Sequence, residues 1–197
     1  MARDDQSVKS SDKNTQSSLF KNNTNQIILQ PTNSTPVSLS IPGHWGELKK
    51  LTSFWRKAFQ SSDVWTFIDP ESPQLQLCVA SIKLNKKEPP QKLIEQIAKK
   101  IFSITMPVKI NSYRTVETQN RDGYKGLTIL TEGDTKADSQ QDIQLQWISV
   151  ITKNQTDYWV IYMTNAVKNE LKFPAFATDN QIMSGILSNF HEYESKS

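Results

Sequence analysis

The chain has 197 residues, 36% of them hydrophobic, which is one domain's worth and enough to bury a core without metals or disulfides. Its 23 basic and 20 acidic residues leave a net charge of +3, which excludes the strongly basic balance of a nucleic-acid-binding protein. The single cysteine, Cys78, excludes an intrachain disulfide and a cysteine-based metal site, and no apolar run approaches the ~20 residues of a membrane helix.

Residues 1–36 are rich in Ser, Asn, Gln, Thr, Asp and Lys, with Phe20 and Ile27-Ile28-Leu29 as the apolar exceptions. Such a segment buries too little to offset its ordering entropy, so a flexible tail is expected. Ile27-Ile28-Leu29 offers an alternative, pairing on a sheet edge. No apolar h-region follows Met1, so no signal peptide is expected as the chain is written.

A domain over 37–197 is expected to open with Val37, Leu39 and Ile41, a short strand stopped by Pro42-Gly43. In the following stretch, Trp45, Leu48, Leu51, Phe54, Trp55, Ala58 and Phe59 recur at three and four. Lys49, Lys50, Arg56 and Lys57 fall elsewhere on the wheel, which predicts an amphipathic helix with a basic side. Val64–Ile68 and Leu75–Leu84 read as strands around the proline-fixed turn Asp69-Pro70-Glu71-Ser72-Pro73. Cys78 reads as a small buried hydrophobe.

Pro89-Pro90 opens a helix whose stripe is Leu93, Ile94, Ile97, Ile101 and Ile104, and Pro107 ends it. Val108–Thr118 alternates loosely as a strand, and Asp122-Gly123 signals a hairpin. Three further strands make a meander from Gly123 to Ala166, with a polar loop from Glu132 to Gln141. In the last of them Trp159, Ile161 and Met163 alternate with Tyr158, Val160 and Tyr162, so both faces are apolar. A loop carrying Pro174 leads to a final helix from about Asp179, its N-cap, to Glu192. The expected fold class is α+β, a twisted antiparallel sheet of about six to seven strands covered by two to three helices.

Searches for chemistry are negative. No glycine-rich phosphate loop or GxSxG elbow occurs, and His44 and His191, the only histidines, lie outside any ligand-spaced motif. Asp69 and Glu71 belong to a turn. Tyr113-Arg114 and Tyr124-Lys125 set aromatic beside basic residues, without the aromatic triplets of an RNA-reading sheet. No cofactor, metal or nucleic acid is expected, and no catalytic residue is assigned.

The order of elements, together with short motifs, resembles the PsbP, DcrB and Mog-like families. The strand ending in Ser38–Trp45 (SLSIPGHW) is similar to their P-x-x-W opening. Gly123–Gly126 (GYKG) stands in the four-strand run, and Ile186–Phe190 looks like their closing motif. The resemblance implies a non-enzymatic protein-binding or assembly module, since family members serve as photosystem subunits, envelope lipoproteins, nuclear-transport factors and secretion chaperones. With the polar tail, the expectation is a tethered envelope lipoprotein or extrinsic membrane-complex subunit. That places it at the cell envelope, periplasmic or extrinsic, if a signal or lipobox preceded the chain, and in the cytoplasm as the chain is written. The alternative is a cytosolic DcrB-like chaperone for a secreted effector, and a third reading is an enzyme with a distributed site. The expected partner is another protein, with peripheral membrane association through the tail. Its candidate surface is Trp45, Lys49, Trp55, Arg56 and Phe59, with Tyr158 and Tyr162 if their face is uncovered.

Overall fold

The computed structural model describes residues 23–107, 109–120, 122–135 and 143–196. Alternating apolar side chains build the centre of the molecule. In β8 (Ile143–Thr152) and β9 (Asp157–Val167) nearly every residue is buried, which requires a cover on both faces. Around them lie β3 (Gly46–Glu47), β4 (Val64–Ile68), β5 (Leu75–Lys83), β6 (Lys109–Gln119) and β7 (Lys125–Asp134). The order across this seven-stranded sheet is β3-β4-β5-β9-β8-β7-β6, and every pairing is antiparallel.

Side chains at a spacing of two divide between two cores. On one face Cys78, Ala80, Ile148, Val150, Tyr158, Val160 and Tyr162 meet two helices. These are α1 (Lys49–Phe59), which contributes Trp55 and Phe59, and α2 (Pro90–Thr105), which contributes Leu93, Ile94, Ile97, Ala98 and Ile101. On the other face Leu77, Val79, Leu145, Trp147, Trp159, Ile161 and Met163 meet a second, small sheet and α3 (Lys172–Ser188). The small sheet is ordered β1-β2-β10, from β1 (Thr24–Leu29), β2 (Val37–Pro42) and β10 (His191–Glu192). Each fully buried Leu, Ile or Val contributes about 1.5–3 kcal/mol, so two cores rather than one account for stability at modest overall hydrophobicity.

The α+β antiparallel architecture expected from the sequence is the one observed. Several local expectations change. β1 pairs residue for residue with β2, so Thr24–Leu29 is built into the small sheet, as the edge-pairing alternative for Ile27-Ile28-Leu29 required. Residues 1–22 lie outside the described residues, as do 136–141 of the expected polar loop and Val108 at the expected start of β6; the first residues of that loop, Glu132–Asp134, instead extend β7 along β8. α3 begins at Lys172, seven residues before Asp179, because Pro174 sits in the first turn, where its missing N–H breaks no helical bond. Asp179 is therefore not an N-cap; it lies within the helix, on the buried stripe with Met183 and Ile186. The helix ends at Ser188, and His191 and Glu192 pair with Ser38 and Val37.

Candidate functional site

Of the seven residues expected to form a partner surface, the five aromatic ones are in the cores. Trp55 stacks on Phe59 at 5.4 Å between ring centroids and tilts against Tyr162 at 5.3 Å, beneath α1. Tyr162 Oη accepts from Gln146 Nε2 at 2.9 Å, and Tyr158 Oη donates to the carbonyl of Glu88 at 2.6 Å. Trp45 precedes α1 and is buried in the opposite core, so Trp45 and Trp55 sit on different faces of the large sheet. Lys49 and Arg56 alone are exposed. The helical spacing identified Trp55 and Phe59 as the side of α1 that packs on the sheet, while Phe54 of the same stripe stays 48% exposed, edge-on to Trp55. Cys78 is buried as expected, and desolvation pushes its thiol far above the ordinary range, as for a packed core side chain.

A cleft of about 630 Å³ opens on the other side of the molecule, where the chain brings together three segments distant in sequence. The first is the turn after β2: Gly43 N–H donates to the Asn23 carbonyl at 2.8 Å and Trp45 N–H to the Pro42 carbonyl at 3.1 Å, which carries His44 to the lip. The second is the turn from Asp69 to Leu75, tied by Ser72 N–H to the Asp69 carbonyl and Leu75 N–H to the Ser72 carbonyl. The third is the first half of α3, facing the end of β9. Trp45, Leu75, Val167, Pro174 and Ile182 make the walls largely apolar.

The ionisable groups of this cleft converge, alongside neutral polar side chains such as Gln74, Thr178 and Gln181. His44 Nε2 lies 3.2 Å from Asp69 Oδ1, which also accepts the N–H of Glu71 at 2.9 Å. Asp179 is 2% exposed, and its Oδ2 accepts from Asn165 Nδ2 at 2.6 Å. Burial pushes the Asp179 carboxyl up to about 6; the Asn165 hydrogen bond opposes the shift and the nearby Asp69 charge adds to it. Among the described residues no cationic side chain pairs with Asp179. The imidazole and carboxylate atoms of His44, Asp69 and Glu71 all come within 4.8 Å of one another, and the carboxylates that a histidine metal site would need are thus at hand. His44 and Glu71 are exposed, and the His44–Asp69 pair and the backbone bond to Asp69 already account for the grouping.

The cleft was missed in the sequence because its parts are a turn, a strand end and a helix interior. The legible signal was an aspartate interrupting an apolar stripe: with the helix begun at Lys172, Asp179, Met183 and Ile186 share a face. Beside the cleft, exposed apolar side chains cluster at the start of α3. Leu171 lines it at 53% exposure, and Phe173, two residues on, is 77% exposed. Phe176 is 37% exposed and stacks on Trp147 at 5.8 Å.

A seven-stranded antiparallel sheet with α1 and α2 on one face, and a small sheet with α3 on the other, is a Mog-like α+β fold. The chain is similar to the Saccharomyces cerevisiae Ran-binding protein Mog1p at a TM-score of 0.52, with 11% identity over 86% of this chain and 96% of that one. A single-residue mutant of the protein Mog1 gives a TM-score of 0.55 with 12% identity over 87% and 97%. No protein-family model and no curated protein sequence matches the chain. At these identities the likeness establishes the fold, which is the Mog-like part of the resemblance read from the sequence.

Proposed function

We propose that the chain is a non-catalytic protein-binding module whose partner docks at the start of α3 and over the adjoining cleft. The observation that carries this reading is the exposed apolar group Leu171, Phe173 and Phe176 beside a large apolar-walled opening, in a protein whose aromatics are otherwise mostly committed to its cores. Mog1p, which shares the fold, is a Ran-binding protein, and this supports the reading as analogy. A photo-crosslinking residue at Phe173 in the native host should trap one discrete protein adduct, absent when the same residue replaces Gln96 on the outer side of α2. Equal labelling at both positions, or none at Phe173, would overturn the assignment.

Within this reading the polar composition of residues 1–22 supports a module tethered at the cell envelope over a cytosolic effector chaperone, and fractionation of the native protein separates the two. A catalytic reading has one observation in its favour, the His44–Asp69 pair at the cleft lip. Hydrolysis of a small ester panel, abolished by His44→Ala, would support it over the binding reading.

A further inference from the structure

Asp179 is out of place by ordinary packing rules. It occupies the core-facing stripe of α3 between apolar neighbours, where a carboxylate loses its hydration. A buried carboxylate persists when a cation or several hydrogen-bond donors compensate it. Among the described residues one side-chain donor is found, Asn165 Nδ2, and no cation. Asn165 is itself 6% exposed and lines the same cleft, and its Oδ1 has no hydrogen-bond partner. The floor of the cleft therefore holds acceptors in excess: the Asp179 carboxylate and the Asn165 carbonyl, with the Asp69 carboxylate nearby. At this point of the floor the one side-chain donor, Asn165 Nδ2, is already used on Asp179, and His44 Nε2 lies 3.2 Å from Asp69 Oδ1. Above this floor the walls are largely apolar, with Trp45, Leu75, Val167 and Ile182 prominent.

We propose that the cleft recognises an organic cation, the guanidinium or ammonium end of an Arg or Lys side chain of the partner protein. The charged head is held by Asp179 and Asn165, and the aliphatic stem lies along Trp45, Leu75 and Ile182. The inference rests on the protein-binding reading above and specifies what that site takes. An ammonium or guanidinium supplies only donors, which is what the floor lacks. The stem of either side chain packs on apolar surface while its head stays charged. A bare divalent ion would leave most of a cleft of about 630 Å³ and all of its apolar wall unused.

The test titrates the full chain with n-butylguanidinium and, as a neutral isostere, n-butylurea, following the Asn165 side-chain amide and the Trp45 indole by NMR. Saturable binding in roughly the millimolar range suits so small a probe. The guanidinium should bind at least about tenfold more tightly than the urea, and Asp179→Asn should remove that preference. Ala175→Trp, which fills the cleft and leaves Asp179 in place, should abolish binding of both. Equal binding of the two probes, an unchanged preference in Asp179→Asn, or a response confined to Zn²⁺ or Ca²⁺ would overturn the proposal. The Phe173 crosslink separates this result from the module reading. If the adduct persists where the guanidinium preference is absent, the partner surface stands and the cation site falls. If the guanidinium binds at Asp179 and no adduct forms, the cleft is a site for a free cation and both partner assignments fall.

Discussion

Asp179 makes the clearest residue-scale prediction, because its environment sets a sign. A carboxyl whose folded value is raised to about 6 from an ordinary 3.8 binds its proton more tightly in the folded than in the unfolded chain. Folding then gains from protonation, so this contribution to stability falls as the pH rises from about 4 through 6 and stays low above it. Asp179→Asn removes the ionisation and should raise stability at pH 7.5 by up to about 3 kcal/mol, seen as a higher melting temperature. The difference should shrink toward zero near pH 4, and a constant offset across that range would show that burial of charge is not the cause. Gly126 makes an independent prediction in β7. A Cβ there would overlap the Val150 carbonyl of β8, since the two backbones close on each other at this point. Gly126→Ala should cost about 2–4 kcal/mol in denaturant unfolding, while Gly46→Ala, in open space, should cost well under 1.

At the scale of elements, the strands that the sequence announced are those whose alternation is long. β4, β5, β8 and β9 lie where their β-branched and aromatic runs place them. β3 and β10, two residues each, have no periodicity to read and exist because a neighbouring strand offers them an edge. The first turns of α3 were hidden by Pro174, which reads as a break until its position in the first turn is known. The cleft was illegible for a related reason, since nothing local places Asn165 of β9 opposite Asp179 of α3. β10 also yields a prediction. Its His191 pairs with Ser38, the Tyr193 N–H reaches the Pro36 carbonyl, and Glu192 meets Lys153. Removing residues 191–197 while keeping the buried Phe190 should speed amide exchange in β2 and cost about 1–2 kcal/mol. Unchanged protection there would mean that β10 adds nothing to the small sheet.

For the whole molecule, the large sheet is a wall common to two cores, and its central strands contribute side chains to both. The cores should therefore be lost together, and the protein carries separate reporters for them. Trp45, Trp147 and Trp159 are buried on the α3 side and Trp65 packs against that core; Trp55 and Cys78 belong to the other. Unfolding in urea followed by tryptophan emission and by thiol labelling of Cys78 should give coincident midpoints. An earlier midpoint for Cys78 labelling would show that the α1 and α2 layer detaches first. Charge is divided along the same wall. α1 carries Lys49, Lys50, Arg56 and Lys57 with no acidic residue, and α2 adds Lys92, Lys99 and Lys100 against Glu95 alone. A cationic ligand therefore enters on the side of the sheet away from this basic layer, which favours approach to the acidic floor of the cleft.

The small sheet joins opposite ends of the described chain, and this matters during synthesis. β1 and β2 leave the ribosome before the rest of this fold, with Leu29, Val37, Leu39 and Ile41 ready to bury. Their covers, β9 and α3, are translated near the end, and β10 follows them. Through most of translation this hairpin is an apolar surface with unpaired strand edges, and an isolated hairpin is marginal at best. The nascent chain must be shielded at β2 until Phe190 emerges. Ribosome-bound chains stopped before α3 would be the form of this protein most open to chaperones, and to aggregation in their absence.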